Sequence, residues 1–371
     1  MATARIAIRL NSLLCVASLD AFLPALTPVA LLPHGLPKMN SIVAVNFKRC
    51  HEVARVIEDM KLPQCLVRQT LFSSDRKIVG NFNLLLVAIC HQTQSIHGKV
   101  DGTLCRGWDF LERRLNRICQ NHPDFLEIGA WTSLTRASFE QVLCSSPEDV
   151  IPSDVGPRVQ LINDLGYQLT RAGYASFEHL YDAKKQRCSG DGSIISFLKQ
   201  RTQAYADPVE KKARLLIGLL RDAHGWAFSN DCELGAPVDY HEIRGHLRLG
   251  TVVINDQTLA ANIESDSVSD SEDSLIRDGI SGAIDAIAKC SESADPLKVH
   301  YILWKYFRTI CRREQPNCLA RKASALDQLD QAYAQAFENS AGSSGCSFSS
   351  VCESFKQQIF AAEYKYEGTY Y

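Results

Sequence analysis

The chain has 371 residues, 46% of them hydrophobic, enough to bury a full core in one large domain or two smaller ones. Lys and Arg total 40 against 42 Asp and Glu, a formal charge of -2. No whole-molecule field draws such a chain to a polyanion, so a stable nucleic-acid complex is not expected. No run of about 20 apolar residues occurs in its body, which excludes a membrane span there and leads to the expectation of a soluble, cytoplasmic monomer.

Residues 1–38 differ from the rest. Arg5 and Arg9 come early, Asp20 is the only acid, and apolar stretches at 13–16 and 21–32 follow. The pattern fits a mitochondrial transit peptide, a poor signal peptide, or an extension ahead of a start at Met39. Residues 39–338 read as a single helical domain. Helices are expected at 53–60, 82–91, 107–119, 139–144 and 158–170, the last with apolar positions at three- and four-residue steps. Breaks at 189–192 and at Asp207-Pro208 separate two more, 194–206 and 209–224. Only residues 251–254, closed by Asn255-Asp256, read as a strand, so the fold class is all-α with at most a small β element there. The Ser/Asp run 264–273 is too polar to pack and reads as a solvated loop open to phosphorylation. Helices at 273–289, 296–313 and 320–337 follow, then a Ser/Gly-rich segment, 339–371, expected to be a loosely ordered tail.

The 14 cysteines show no disulfide framework and read as reduced, mostly buried thiols. Cys311 and Cys318, with six residues between them, have the spacing of the first pair of an iron–sulfur ligand set, but the remaining two ligands do not follow, and no cluster is expected.

Ionisable chemistry concentrates in Asp239-Tyr240-His241-Glu242-Ile243-Arg244-Gly245-His246, set among apolar Val238, Ile243 and Leu247. Buried charges are costly unless used together, so the active site is sought here. His241 and His246 lie five apart, which turns the second about 140° away on a helix, so a zinc-protease ligand pair is not expected. Asp239 follows Gly235-Ala236-Pro237-Val238 and has two readings. It is either an N-cap accepting the amides of the helix it opens, or a carboxylate at a pocket mouth that stabilises or attacks an oxocarbenium-like centre.

Downstream, His300-Tyr301-Ile302-Leu303-Trp304-Lys305-Tyr306-Phe307-Arg308 sets rings and donors at helical spacing. Such stripes serve a core or hold a planar heterocycle. Trp108, after Gly107, is either a stacking ring or a buried structural one. Lys211 and Lys212 head an apolar run and read as the solvated first turn of a core helix, a reading held firmly only for Lys212. No nucleophile triad, phosphate-binding glycine loop or dinucleotide fingerprint is present.

Several of these segments, in order, are similar to the queuosine-salvage family, the queuosine 5′-phosphate N-glycosylases, over roughly residues 45–320. Lys211-Lys212-Ala213-Arg214-Leu215-Leu216, then Val238-Asp239-Tyr240 and Leu247-Arg248-Leu249-Gly250, resemble that family's Lys-Arg-Ala-Gln-Ile-Leu and Ala-Asp-Tyr-Arg stretches. Gly107-Trp108-Asp109-Phe110-Leu111, Leu115-Asn116-Arg117 and the 158–169 helix resemble further family motifs. The resemblance implies a fold like the helical DNA glycosylases and a catalytic carboxylate at Asp239. Where the family has Asp-Tyr-x-Leu-Trp-Asp, the chain has His300-Tyr301-Ile302-Leu303-Trp304-Lys305, and the family's Arg after Asp-Tyr is His241.

The resulting expectation is a hydrolase that cleaves the N-glycosidic bond of a queuosine-like nucleoside 5′-phosphate. Asp239 would be catalytic; Tyr240, His241, His300, Tyr301, Trp304, Lys305, Trp108 and Lys211 would bind substrate, and no metal or organic cofactor would be needed. The alternative is a non-catalytic nucleoside-binding or interaction protein on the same scaffold.

Overall fold

Side-chain caps set most helix starts. Asn46, Asp75, Thr135, Ser176, Ser193, Asp239, Asp256, Ser269 and Asp295 each accept a backbone N–H from the first turn they precede. The computed structural model describes residues 42–370 apart from 64–65, 68, 145–148, 151–154, 293–294, 315, 321–330, 361–362 and 365–367. The expectations for residues 1–38 therefore lie outside the described residues. Residues Asn40–Tyr371 cluster as one compact unit.

In chain order the elements are β1 (Val43–Val45), α1 (Phe47–Asp59), α2 (Arg76–Ala88), β2 (His97–Val100), β3 (Thr103–Arg106), α3 (Gly107–Asn121), α4 (Ile128–Trp131), α5 (Arg136–Leu143), α6 (Val155–Arg171), α7 (Phe177–Ala183), α8 (Ile194–Arg201) and α9 (Lys211–His224). Then come α10 (Tyr240–Leu249), β4 (Val252–Ile254), α11 (Gln257–Glu264), α12 (Asp270–Lys289), α13 (Pro296–Thr309), α14 (Asn317–Ala320), α15 (Gln331–Ala341) and α16 (Glu353–Gln357). The fold is mainly helical. Among the described residues no helix is long and apolar enough to cross a membrane.

Two small antiparallel sheets accompany the helices. The expected strand at 251–254 is β4, and it pairs with β1 in the register Val43↔Ile254. The second sheet, β2–β3, was not expected; Asp101 and Gly102, both with positive φ, form its two-residue turn.

The apolar residues form two main clusters. One gathers α2, α3, α6, α7, α8 and α9 around Phe82, Leu115, Ile162, Phe177 and Leu216; the other gathers α1, α10, α12 and the C-terminal segment around Val53, Ile243, Ile280, Leu303 and Phe348. Helix α13 serves both: Leu297 and Tyr301 pack into the first, Val299, Ile302 and Tyr306 into the second. A Cβ on Gly245 would stand 2.2 Å from the Phe307 ring, so glycine there lets α10 and α13 approach closely.

Several boundaries differ from the sequence reading, for identifiable reasons. Helix α2 stops at Ala88 rather than His91, and the carbonyls of Ala88, Ile89 and His91 accept Lys212 and Arg158 side chains. Helix α13 stops at Thr309 rather than Arg313, and the carbonyls of Arg312 and Arg313 accept Arg248. The 264–273 run is not a solvated loop throughout. Ser269 and Glu272 form a capping box that starts α12, and Asp273 is fully buried against Arg277. The segment after 338 is not loose either in its described part. Phe348 is buried, and Tyr364 is buried with its hydroxyl donating to Asp273 at 2.9 Å.

Candidate functional site

The site forms where the first turns of α9 and α10 meet the middle of α13. Asp239 is the N-cap of α10. Its Oδ1 accepts the amides of His241 (2.8 Å) and Glu242 (3.3 Å), and its Oδ2 accepts Trp304 Nε1 at 2.8 Å. Both readings of Asp239 are thus compatible with one geometry. It caps a helix, and the same three N–H donors hold its carboxylate in one orientation at 7% exposure.

Burial acts to raise the Asp239 pKa, but His241, Lys211 and His300 nearby, together with the Trp304 N–H, outweigh it and hold the carboxyl below its ordinary value. His241 itself is pushed down to about 3, by burial first and then by the cations of Arg244, Arg308 and Lys211, against the pull of Asp239. At neutral pH His241 is therefore uncharged, while Lys211 and the N–H donors still favour the ionised form of Asp239. His241 Nδ1 acts as an acceptor, taking a hydrogen bond from Arg244 Nη2 at 2.9 Å.

Above the carboxylate lies a half-buried rim. The Tyr240 and His241 rings stand 4.1 Å apart, the His241 and Trp304 rings 6.2 Å apart, and the Arg308 guanidinium lies 5.2 Å from the Trp304 ring. Arg308 is steadied by Asp109 of α3 at 3.0 Å. Burial and the Asp239 charge push the Tyr240 hydroxyl up to about 12, so it remains a donor at any physiological pH.

Beneath the rim, Glu242 is fully buried and its Oε1 lies 2.8 Å from His300 Nδ1. Burial raises the Glu242 pKa, with His300 opposing. Glu242 Oε2 has no hydrogen-bond partner among the described residues.

Of the residues expected to bind substrate, the structure brings Tyr240, His241, His300, Trp304 and Lys211 to Asp239. Tyr301 turns instead toward α9, its hydroxyl 2.6 Å from where a Gly218 Cβ would stand, near Arg221 and Asp222. Lys305 lies 4.6 Å from the Tyr333 ring. Trp108 donates to Glu112 at 2.9 Å, one residue from the Asp109 that holds Arg308. The first two departures follow from helix phase: 300, 304 and 308 share one face of α13, and 301 and 305 are each rotated about 100° from it. Glu242 and Arg308 were visible in the same sequence strings but carried no assigned role. The signal for Arg308 was the four-residue step from 300 to 304 to 308.

Lys211 and Lys212 are not a solvated first turn. Lys212 is 0% exposed and donates to the Ala88 carbonyl at 2.6 Å, while the Lys211 amide bonds Asp207 Oδ2 at 2.8 Å. His246 faces away from His241, fully buried, with Nδ1 2.7 Å from Thr251 Oγ1, and burial pushes its pKa down to about 3.

No protein-family model and no curated protein matches this chain.

Proposed function

We propose that the chain hydrolyses the N-glycosidic bond of a modified, queuosine-like nucleoside 5′-phosphate and releases the base for salvage, as the resemblance to queuosine 5′-phosphate N-glycosylases suggests. The observation that carries this reading is the Asp239 carboxylate, held below its ordinary pKa and fixed by three N–H donors under an aromatic rim. As the C–N bond lengthens, positive charge builds on C1′ and the ring oxygen. A carboxylate already oriented toward that charge stabilises it without reorganisation, or attacks C1′ before water completes hydrolysis.

Tyr240, His241 and Trp304 supply stacking surface for a planar base, and Lys211 and Arg308 supply positive charge suited to a 5′-phosphate. Base contact is assigned to this rim and not to Tyr301 or Lys305, which point elsewhere. His300, standing at one of the family's acid positions, is engaged by Glu242 and acts beneath the base.

The test is incubation with queuosine 5′-phosphate and a panel of purine and deazapurine nucleotides, with free base followed by mass spectrometry. Asp239→Asn should lower turnover by roughly 10²–10³-fold while the protein stays folded. Full activity in that variant would sink the mechanism. Nucleotide binding by the wild-type protein without release from any substrate would instead favour the non-catalytic binding protein.

A further inference from the structure

Arg244 sits on α10 one turn beyond His241 and is buried. Of its five guanidinium N–H donors, four have acceptors, drawn from separate parts of the chain. Nε meets the Cys311 carbonyl at 2.8 Å, Nη1 pairs with the Glu363 carboxylate, and Nη2 meets both the Phe307 carbonyl at 2.8 Å and His241 Nδ1 at 2.9 Å. Phe307 lies in the last turn of α13 and Cys311 just beyond it, where the carbonyls of a helix end favour a cation.

This fork decides the state of the His241 ring. A guanidinium only donates, so Nδ1 must carry a lone pair and not a proton. The ring is faced by Asp239 at the head of α10, by Arg244 on it, by Arg308 on α13, by Lys211 on α9 and by the Tyr240 ring beside it. Burial and the three cations, against the one carboxylate, disfavour an imidazolium. A neutral imidazole with its lone pair on Nδ1 has its proton on Nε2. That second nitrogen has no partner among the described residues, and the ring is half-buried at the rim.

We infer that Arg244 is a positioning residue that fixes His241 as a neutral Nε2–H donor, through which the rim selects a base bearing an uncharged acceptor, such as a ring carbonyl. The class of ligand rests on the nucleotide reading of the site; the state of the ring does not. A neutral N–H bonds an uncharged oxygen at small desolvation cost, whereas a cation in its place would give up far more hydration when a planar ligand covered it. The fork cannot swing away, because Cys311, Phe307 and Glu363 hold its other donors. Lysine would offer a point charge without that geometry.

Glu363 brings the C-terminal segment into this arrangement. Its neighbour Tyr364 is tied to Asp273 at 2.9 Å, so the segment that helps to anchor α12 also steadies the guanidinium behind the rim. Glu363 is itself nearly buried, with its side chain 10% exposed.

The first experiment is heteronuclear NMR of the imidazole nitrogens in the full chain, with the His241 signals assigned by their loss in His241→Gln. A neutral ring protonated on Nε2 is expected, unchanged between about pH 8 and 5. A ring protonated on Nδ1, or one that becomes an imidazolium in that range, would overturn the assignment. Arg244→Met should release the ring into a mixture of tautomers, and an unchanged ring in that variant, folded by circular dichroism, would remove the role of Arg244. The wild-type spectrum and the ligand comparison stand without the variant. For that comparison, affinities for deazaguanosine 5′-phosphate and for its analogue lacking the ring carbonyl are measured by equilibrium dialysis in the Asp239→Asn background, where turnover is slow. His241→Phe should weaken the carbonyl nucleotide about tenfold and its analogue little, and His241→Gln, which keeps an N–H donor, should restore most of the loss. Equal losses for both would overturn the selection, and binding of neither would overturn it together with the nucleotide reading. Absence of base release by the wild type, with ring and affinities as expected, would instead sink the hydrolysis and leave the fixed donor in place.

Discussion

Two clusters of buried charge, both attached to the start of α9, are completed to different degrees. Around Arg277 the network is closed. Its Nε meets Asp273, and its two Nη atoms meet both oxygens of Asp207, all at 2.9 Å; Asp207 also accepts the amides of Val209 and Lys211. Asp273 adds the Tyr364 hydroxyl. Around Asp239 the network is open. Glu242 Oε2 has no hydrogen-bond partner among the described residues, and the rim above it is half exposed. A closed network of buried charge fixes a fold, whereas an open one beside a shaped rim is where a ligand would supply what is missing.

The largest way to break this comparison is Arg277→Met. It leaves the carboxylates of Asp207 and Asp273 buried without their shared cation, and should cost about 3–5 kcal/mol in urea denaturation. A cost under about 1 kcal/mol would mean that the network is not the structural anchor described. Base release per folded molecule should be nearly unchanged, since Arg277 touches none of the rim.

Lys212, between the two clusters, sharpens the contrast through pH. Burial, opposed by Cys90 and Asp207 and helped by Lys211 and Arg158, lowers its pKa to about 7. Its unfolded value is about 10.4, so between the two the unfolded chain keeps a proton that the folded chain has lost. Stability should therefore rise with pH from about 7 to 10 and gain nothing from this group below 7, with a slope of at most about 1.4 kcal/mol per unit. Lys212→Met should flatten that rise, so that wild type gains about 2 kcal/mol on the variant between pH 7 and 9. Parallel urea midpoints for both proteins would show the group to be unperturbed.

What the sequence made legible were the local signals. Helix α6 is visible in its apolar steps, Asp239 as a cap in the breakers before it, and β4 in its branched residues. Partners distant in the chain were not. Ile42-Val43-Ala44-Val45 carries branched residues as β4 does, but nothing local tells that it pairs with a strand about 200 residues on. The Lys211–Lys212 turn reads as solvated until Asp207 and the Ala88 carbonyl are seen to cover it. Two misses had local signals that went unused: Asp101-Gly102 is a hairpin turn pair, and Ser269-Asp270-Ser271-Glu272 is a capping box.

Smaller effects test the open cluster itself. Trp304→Phe keeps a ring but removes the N–H donated to Asp239 Oδ2. Losing a donor to the charged form raises a carboxyl pKa, so the acid limb of the base-release profile should move upward by as much as about one unit, worth about 1.4 kcal/mol. An unmoved limb would detach Trp304 from the ionisation of Asp239.

Glu242→Gln should have the smallest effect on stability and separates the two clusters most directly. Burial already favours the neutral carboxyl at this position, and an amide nearly reproduces its shape, so the change should cost under about 1 kcal/mol. Asp207→Asn, the corresponding change in the closed network, removes a charge held by Arg277 at two points and should cost several times more. If Glu242→Gln proved equally damaging, Glu242 and His300 would have to be a charged, mutually dependent pair. The floor of the site would then be a second structural anchor, and the search for a ligand would move wholly to the rim.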